Sequence, residues 1–559
     1  MIMEVLTNQK KANGYYLIGR KLNHIMKRIG VIILCLFALM SHAQQNEVQV
    51  NSPVSEGYYP NEPSICISKI DSNTVVAGAN INYHFVSADG GKTWDNKMLQ
   101  STYGIWGDPV LHSDIDGVIY FAHLSRTQGK NKDYGFIDRI VVQTSLDSGK
   151  TFNDGSYAGL NEPKMQDKPW LSSDDYSDNF KGNVYLTWTE FDKINSKKKK
   201  HKSRIQFSKS EDKGQSWSDA ITISDTIGNA VDDDHTLEGA TTAVGVNGEI
   251  YCVWAGHHKL YFDKSVDGGK TWGKDKIVFD QQSGWAMDIP HVYRSNGMPF
   301  LVVDNSNGPY TGRLYLVWGD DIYGDADVFL SFSDDQGTTW SNPIRVHNDS
   351  EGNEYSQYLP NVAIDQTTGH LAVGYYDRRG SANNVFNDVY VSVSDDGGAS
   401  FTDYRMNNLI SGHIGKDKFS GDYTDIDFHA GKIAMIWASY KGAPAVYSRV
   451  IMESELENLF PIHQVGQIQT YVSHEEKKPS IYIAFTTPIE GTVTYYKRRF
   501  FSKKEKVKRV DTFDVKHRPG MQGVTEKHIK ATQKRRIRIV IKSTDKLNQD
   551  TNEVSVTIE

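Results

Sequence analysis

Cysteine is scarce in this 559-residue sequence, which contains three. Only Cys66 and Cys252 lie beyond the apolar stretch near the N-terminus. Both fall in predicted inner strands, so we expect buried free thiols and a fold that disulfides do not hold together. The net charge of −7 is also modest, which argues against a nucleic-acid partner for the whole chain. No cofactor is expected.

Long apolar runs are missing as well, with one short exception. Val31–Met40 is apolar, follows the basic start Met26-Lys-Arg, and ends at Ser41-His-Ala43. The run is too short to span a membrane comfortably and has the order of a secretory signal. We therefore predict an over-extended start followed by a signal peptide over Met26–Ala43, cleaved after Ala43. The mature protein is expected to be secreted, periplasmic or on the outer cell surface.

What the sequence does have is repetition. The pattern S-x-D-x-G-x-[T/S]-[W/F] occurs six times. Its Asp can accept hydrogen bonds from the backbone of its own turn, its Gly tolerates positive φ, and its aromatic residue can enter a hydrophobic layer. The pattern predicts a hairpin turn that is fixed at both ends. The copies begin at Ser87, Ser145, Ser210, Ser265, Ser333 and Ser394.

A second repeat, an apolar strand that often ends in an aromatic residue, occurs seven times, most clearly at Val184–Trp188 and Leu314–Trp318. Another strand lies upstream of each copy, often opened by an acidic residue and Pro, as at Asp288-Ile-Pro290 in the fifth unit. Four-stranded units in such an array form a β-propeller. We predict an all-β fold with seven four-stranded blades, or six as the alternative. The last unit has three strands and no motif copy, so Glu47–Val50 is expected to supply its fourth strand.

The composition changes after about residue 463. Residues 464–559 contain 20 Lys and Arg against 11 Asp and Glu, with alternating apolar segments such as Arg536–Ile541. Alternation of this kind is typical of strands. We predict a propeller over residues 44–463 and a basic β-sandwich accessory domain over 464–559, after the leader in residues 1–43. The basic charge is either a solvated face or a module for anionic glycans or the cell surface.

The sixfold motif is the Asp-box signature and resembles the repeats of the sialidase (neuraminidase) superfamily, whose members include secreted Asp-box (BNR-repeat) β-propeller proteins. The resemblance covers residues 47–455 and is specific for the fold. Family enzymes use a Tyr nucleophile assisted by a Glu, an Asp as acid/base and three Arg that grip the substrate carboxylate. They also carry an Arg-Ile-Pro element, where this sequence has Asn61-Glu-Pro63. The resemblance implies a glycoside hydrolase of the exo-α-sialidase type that removes a terminal acidic sugar from glycans.

Propeller geometry predicts which face carries the site. The Asp-box turns lie on one face, and the inner strands begin on the other, around the central channel where ligands usually bind. A ring of carboxylates, aromatic residues and Arg suits a carbohydrate. The expected catalytic residues are Tyr423, Asp422, Glu62, Asp108 and Asp167. The expected substrate-binding residues are Arg378, Arg379, Asp377, Arg126, Trp170, His291 and Glu238.

Other interpretations stay open at this point. The chain could be a non-catalytic glycan- or protein-binding propeller at the cell surface, or a polysaccharide lyase that uses His291 or His257. Asp377-Arg378-Arg379 is equally compatible with an ion pair between blades. His257-His258 could hold a metal, although the sequence offers no clear third ligand. The acidic run Asp232–Asp234 could bind calcium or form a solvated turn.

Overall fold

The computed structural model describes residues 47–51, 60–125, 137–379, 386–407, 419–440 and 444–459, together with seven strands between Ile468 and Ile558. All of them belong to one compact unit, Asn46–Glu559. The predicted leader, residues 1–43, lies outside the described residues. The signal peptide therefore stays a prediction from the sequence.

Seven four-stranded antiparallel sheets, the blades, account for most of the described part of residues 47–459. The first strand, β1 (Val48–Gln49), belongs to the last blade. Each of the first three blades runs in chain order from its innermost to its outermost strand. Blade 1 has β2 (Ser64–Ile67), β3 (Val75–Ala79), β4 (Tyr83–Ser87) and β5 (Asp95–Met98). Blade 2 has β6 (Gly107–Ser113), β7 (Ile119–Leu124), β8 (Ile140–Ser145) and β9 (Ser156–Ala158). Blade 3 has β10 (Met165–Ser173), β11 (Val184–Phe191), β12 (Lys202–Ser210) and β13 (Ile221–Thr222), with β14 (Gly228–Asn229) also pairing with β12.

The remaining blades repeat this plan. Blade 4 has β15 (Glu238–Val244), β16 (Ile250–Gly256), β17 (Lys259–Ser265) and β18 (Lys276–Asp280), followed by a small hairpin of β19 (Ala286–Met287) and β20 (Ser295–Asn296). Blade 5 has β21 (Phe300–Val303), β22 (Leu314–Asp320), β23 (Asp327–Ser333) and β24 (Ile344–Arg345). Blade 6 has β25 (Gln357–Ile364), β26 (Leu371–Asp377), β27 (Asp388–Ser394) and β28 (Thr402–Arg405). Blade 7 has β29 (Asp425–His429), β30 (Lys432–Tyr440), β31 (Pro444–Met452) and β1, and a 3₁₀-helix (Glu453–Asn458) follows it.

The prediction of seven blades is confirmed, and so is the origin of the last strand. Val48 pairs with Ser448 and Gln49 with Tyr447, so the N-terminal strand completes the blade that the end of the propeller begins. Asn51 continues this contact, because its Oδ1 accepts a hydrogen bond from the backbone N–H of Val446 at 2.7 Å. The two ends of the propeller are thus joined by backbone pairing within one sheet.

One inner strand was placed wrongly. The pattern Asp288-Ile-Pro290 predicts the start of the inner strand of blade 5, whereas the observed strand is β21, Phe300–Val303. Residues 286–296 instead form the hairpin β19–β20. The acidic residue before Pro suggested a strand start, but the residues that pair with β22 lie about ten positions later. Because the strand start was misplaced, Arg294 was not predicted to be one of the charged residues near the start of the inner strands.

The core lies between the blades and depends on the aromatic ends of the second strands. Trp188, Trp254, Trp318 and Trp437 are among the largest fully buried side chains. Each such side chain removes roughly 150–250 Å² of surface from water and dominates local packing. Cys66 and Cys252 are buried free thiols, as expected.

The Asp-box turns join the third strand of a blade to the fourth and have the hydrogen bonds that the sequence predicts. In blade 4, Asp267 accepts bonds from the N–H of Thr271 at 2.9 Å and from its hydroxyl at 2.6 Å. The hydroxyl of Ser265 accepts a bond from the N–H of Gly269 at 3.0 Å. Gly269 has φ +80°, and a Cβ there would lie 2.4 Å from the ring of Phe207 in the preceding blade. Each turn therefore fixes its own hairpin and also packs against the neighbouring blade.

The tail is described by its backbone strands alone. β32 (Ile468–Ser473), β33 (Ser480–Thr486) and β36 (Val524–Lys530) form one sheet, and β34 (Glu490–Arg499), β35 (Lys506–Asp514), β37 (Arg535–Ser543) and β38 (Thr551–Ile558) form a second. Two antiparallel sheets agree with the predicted all-β tail. Within the described residues, no helix has the length and apolar character needed to cross a membrane.

Candidate functional site

Polar side chains meet at the face where the inner strands begin, opposite the Asp-box turns. The inner strands of blades 2, 3, 4 and 6 each contain a register shift near their start, between Gly107 and Val110, Asp167 and Trp170, Glu238 and Thr241, and Tyr358 and Asn361. Such bulges redirect side chains and are common next to functional sites. One residue in each bulge has a left-handed φ: 52° at Asp108, 51° at Lys168, 68° at Gly239 and 49° at Leu359. Glu62, just before β2, has the same conformation with φ 48°.

The centre of this face is an ion cluster around Lys168. Its Nζ lies 3.6 Å from Asp108 Oδ2 and 3.7 Å from Glu62 Oε1, and it also contacts Asp422. All four side chains are nearly buried, so these charges interact in a low-dielectric setting. Burial alone would lower the pKa of Lys168, but the carboxylates of Asp108, Asp422 and Glu62 outweigh it and raise that pKa well above its ordinary value. Lys168 is therefore a permanent positive charge.

Asp422 has the strongest set of partners. Arg294 Nε donates to Asp422 Oδ1 at 2.8 Å, and the Lys168 ammonium contacts Oδ2. Burial would raise the pKa of Asp422, but the positive charges of Lys168 and Arg294 lower it to about 2. Glu62 lies beside it and accepts a 3.1 Å bond from the Asp422 N–H. The pKa of Glu62 is raised well above normal by its own burial and then by the charge of Asp108. The two positive charges thus favour the ionised form of Asp422, whereas burial favours the protonated form of Glu62.

Two further carboxyl groups of the cluster have raised pKa values. Burial, followed by the charge of Asp108, raises the pKa of Asp167 to about 8. Burial, followed by the charge of Asp232, raises the pKa of Glu238 well above its ordinary value. Both Glu238 oxygens are buried without a hydrogen-bond partner. At neutral pH Asp167 therefore holds a proton that it could donate, and burial favours the protonated form of Glu238 as well.

The rim of the cluster is more open. Asp167, Asp232 and Arg294 are partly exposed, and Arg294 Nη1 lies 3.0 Å from Asp232 Oδ2. Arg294 also stacks over the ring of Phe419, 4.8 Å from its centroid. Arg294 was not expected at the site, because the predicted inner strand of blade 5 began before it, and Asp232 was expected only as part of an acidic run. With the inner strand placed correctly at Phe300–Val303, Arg294 would have fallen among the residues that precede an inner strand, which is where site residues are expected.

The other expected site residues divide into two groups. Tyr423 and Trp170 lie with Lys168 and Asp108 around a small cavity beneath the cluster. The Tyr423 hydroxyl donates to Pro109 O at 3.1 Å, and burial raises its pKa well above normal. This hydroxyl therefore lacks the carboxylate partner that a Tyr nucleophile needs. Below it, the central channel contains a cavity of about 300 Å³.

The Arg residues expected to bind substrate lie apart from the cluster, in blade 6. Arg378 is fully buried and donates to Asn387 Oδ1 at 2.7 Å and to Pro290 O at 2.6 Å. Arg379 pairs with Asp377 at 2.6 Å and Asp403 at 2.7 Å. The geometry supports an ion pair of Asp377 with Arg379 within blade 6, whereas Arg378 is held by hydrogen bonds to Asn387 and Pro290. His291 lies in the hairpin loop next to Pro290, and Arg126 lies outside the described residues.

No protein-family model and no curated protein matches the chain. Among solved structures, the chain is similar to an alpha-L-arabinanase of Penicillium chrysogenum complexed with arabinobiose, at 16% identity and a TM-score of 0.40, covering 63% of this chain and 98% of that one. It is also similar to a leech intramolecular trans-sialidase, at 12% identity and a TM-score of 0.42, covering 63% and 71%. A third is an ulvan lyase, at 12% identity and a TM-score of 0.43, covering 75% and 99%. At such low identity and TM-scores, these similarities carry no argument about function. The structure itself is a seven-bladed β-propeller with a buried ion cluster at the start of its inner strands.

Proposed function

We propose that this protein is a carbohydrate-active enzyme that hydrolyses a glycosidic bond at the Lys168 cluster. The observation that carries the proposal is the pair of carboxyl groups on the rim. Asp167, with its pKa raised to about 8, is protonated at neutral pH, while Asp232 is paired with Arg294. Glycosidases need one carboxylic acid and one carboxylate beside the scissile bond, with environments that separate their charge states.

The reaction follows from these roles. Asp167 gives its proton to the glycosidic oxygen as the bond from that oxygen to the anomeric carbon breaks. A water molecule adds its oxygen to that carbon and loses a proton to Asp232. If Asp232 instead attacks the carbon directly, water releases the sugar in a second step and the configuration is retained. Proton NMR of the first product anomer distinguishes the two routes.

The substrate class that fits the site is a neutral glycan. A terminal acidic sugar, implied by the resemblance to sialidases, needs an arginine whose charge is available to its carboxylate. Arg294 is already bound to Asp422 and Asp232. Arg139 is bound to Asp138, and Arg204 to Glu190 and Asp192. Arg294, Arg139 and Arg204 are thus held by the protein's own carboxylates, and Arg378 is buried and hydrogen-bonded to Asn387 and Pro290.

The test is turnover by the purified protein on a panel of fluorogenic neutral glycosides, a sialoside, a glucuronide and a uronate polymer. We expect release from a neutral glycoside and a loss of about 10²–10⁴-fold in kcat/KM for Asp167→Asn. Asp219→Asn is the matched control, because Asp219 is an exposed aspartate outside the cluster. Equal activity of Asp167→Asn and the wild type would contradict the assignment. Turnover of the sialoside alone would restore the acidic-sugar hypothesis, and unsaturated uronate products would indicate a lyase.

A non-catalytic glycan-binding propeller is the second candidate. Glu62, Lys168 and Asp422 are almost completely buried, and a buried ion cluster can hold blades together without taking part in a reaction. Binding of a glycan without turnover of any panel member would favour this candidate.

We also propose export after removal of Met26–Ala43 and attachment to the cell surface through the basic tail. N-terminal sequencing of the exported protein tests the first point. Cell fractionation of the full chain against a version lacking residues 464–559 tests the second, and an unchanged distribution would argue against attachment.

A further inference from the structure

Three histidines meet at the edge of the site face, although they come from two separate segments. His235 precedes β15, and His257 and His258 form the two-residue turn between β16 and β17. The ring centroids of His235 and His257 are 5.6 Å apart, and those of His235 and His258 are 5.9 Å apart. The sequence had shown only the His257-His258 pair. His235 is the third imidazole that the sequence did not reveal.

A carboxylate lies beside the same rings. His258 Nε2 is 3.7 Å from Asp234 Oδ2. The other oxygen of Asp234 accepts a 2.7 Å bond from the N–H of Ala286, which orients the carboxylate. Gly284 packs against both groups, since a Cβ there would lie 2.4 Å from Asp234 Oδ1 and 2.7 Å from His258 Nδ1. The glycine leaves space that any side chain would remove.

We propose that His235, His257, His258 and Asp234 form a binding site for a divalent transition metal ion, with zinc as the best fit. Zinc takes four ligands in a tetrahedron, with nitrogen ligands about 2.0–2.1 Å away. Two imidazoles on one tetrahedral zinc therefore have ring centroids about 5 Å apart. The separations of the His235 ring from the other two rings exceed this by less than 1 Å. His235 and His258 are exposed, so binding of an ion would require their side chains to rotate towards it.

The second ring nitrogen of His257 supports the proposal. Its Nε2 lies 3.3 Å from the carbonyl oxygen of Ile227, which leaves Nδ1 as the ligand atom. Metal-bound histidines commonly donate their other N–H to a backbone carbonyl, and this fixes the tautomer and the ring orientation.

The turn that carries the two histidines is also unusual, because His257 and His258 have φ values of 54° and 57°. Asn-Gly is common in such turns because both central residues need positive φ. Two histidines are strained in this conformation, which is unexpected for a turn that only connects strands.

A second group of possible ligands is less suitable. Ligand atoms of Asp327, His347 and Asp349 lie within 4.8 Å of one another. However, His347 Nδ1 contacts Asp349 at 2.5 Å, and Nε2 accepts a bond from the N–H of Val328 at 3.2 Å. Arg345 also contacts Asp349 at 2.7 Å. Both imidazole nitrogens are occupied, and a guanidinium stands where a cation would have to bind.

The test uses the full chain without an affinity tag, stripped of metal with a chelator. Titration with Co²⁺ followed by visible absorption, and with Zn²⁺ by calorimetry, should show one equivalent bound in a tetrahedral site. His235→Ala and His257→Ala should each weaken Zn²⁺ binding at least tenfold. His201→Ala, at a histidine that is hydrogen-bonded to Ser196, and His347→Gln should leave it unchanged.

Controls separate metal binding from folding. The metal-free His235→Ala and His257→Ala variants should match the metal-free wild type in circular dichroism and melting temperature. Asp234→Asn provides a further variant that keeps the shape of the carboxylate. The proposal is overturned if the wild type binds no stoichiometric metal, if His235→Ala binds as tightly as the wild type, or if His347→Gln removes the binding. The site is independent of the proposed hydrolase activity and is measured without a substrate.

Discussion

Replacing Glu238 with Met should stabilise the propeller. Glu238 is buried with both carboxyl oxygens lacking a hydrogen-bond partner, and a buried polar group in this state costs about 1–3 kcal/mol. Met has a similar volume and no polar group to satisfy, so the free energy of unfolding should rise by about that amount. Because burial raises the pKa of Glu238 above its ordinary value of 4.5, the native chain keeps this proton longer than the unfolded chain. The stability of the wild type therefore falls as pH rises above 4.5, and the advantage of the variant should grow towards pH 8.

Guanidinium unfolding followed by tryptophan fluorescence measures this effect in the propeller alone, because all 11 tryptophans lie between Trp94 and Trp437. Glu249→Met is the matched control. Glu249 is also a buried carboxylate of blade 4, but its Oε1 accepts bonds from Asn247 at 3.0 Å and Gln336 at 3.1 Å, so its replacement should destabilise. If Glu238→Met lowered the free energy of unfolding at every pH, or if its advantage shrank as pH rose, the reasoning about unsatisfied burial would be refuted.

Three further predictions test the site and the scaffold. Activity should decline as pH rises through about 8, because Asp167 must carry its proton to act as the acid; a pH profile of kcat/KM without that decline would contradict its role. Slight burial would raise the pKa of Asp267, but its bonds with Thr271 and Ser265 lower it to about 2. Its contribution to stability is therefore present above its ordinary value of 3.8 and is lost as pH falls through about 2, and in melting experiments Asp267→Asn should reduce the difference between pH 5 and pH 2. Gly269→Ala should cost about 1–3 kcal/mol or more, measured by guanidinium unfolding. Gly312→Ala is its control, with φ +87° but no atom within 4 Å of the added Cβ, and an equal cost there would show that φ alone, not the contact with Phe207, is responsible.

The number of blades was predictable because six of the seven blades contain the Asp-box motif and all seven contain a recognisable second strand. Residues such as Asp267 and Gly269 act within one turn, so their spacing along the chain contains the information needed to place them. The strand Val48–Gln49 was also predictable, since the last unit lacked one strand and a short apolar segment was left over. Sequence motifs therefore predict those parts of the fold whose contacts lie within a single turn or blade.

The charged site was predictable only in part. Glu62, Asp108 and Asp167 were expected because they precede the inner strands, and the structure brings them together. The partners of each charge come from distant blades, as with Asp422 and Lys168. The spacing of residues along the sequence therefore could not predict the pKa values, or which charged groups are already paired within the protein. Arg379 shows the same limit, because Asp403, which neutralises it, lies on another strand. Arg294 was missed because a small hairpin displaced the strand start.

The pairing of Val48 with Ser448 also determines when the ring can close during folding. These partners are 400 positions apart in the sequence, so the edge of β31 stays unpaired until the rest of the propeller has formed. Pairing over such distances is slow, and an unpaired edge is a template for other strands. We therefore expect completion of blade 7 to be the slow step of folding, and a peptide with the sequence of residues 47–51 to compete with it.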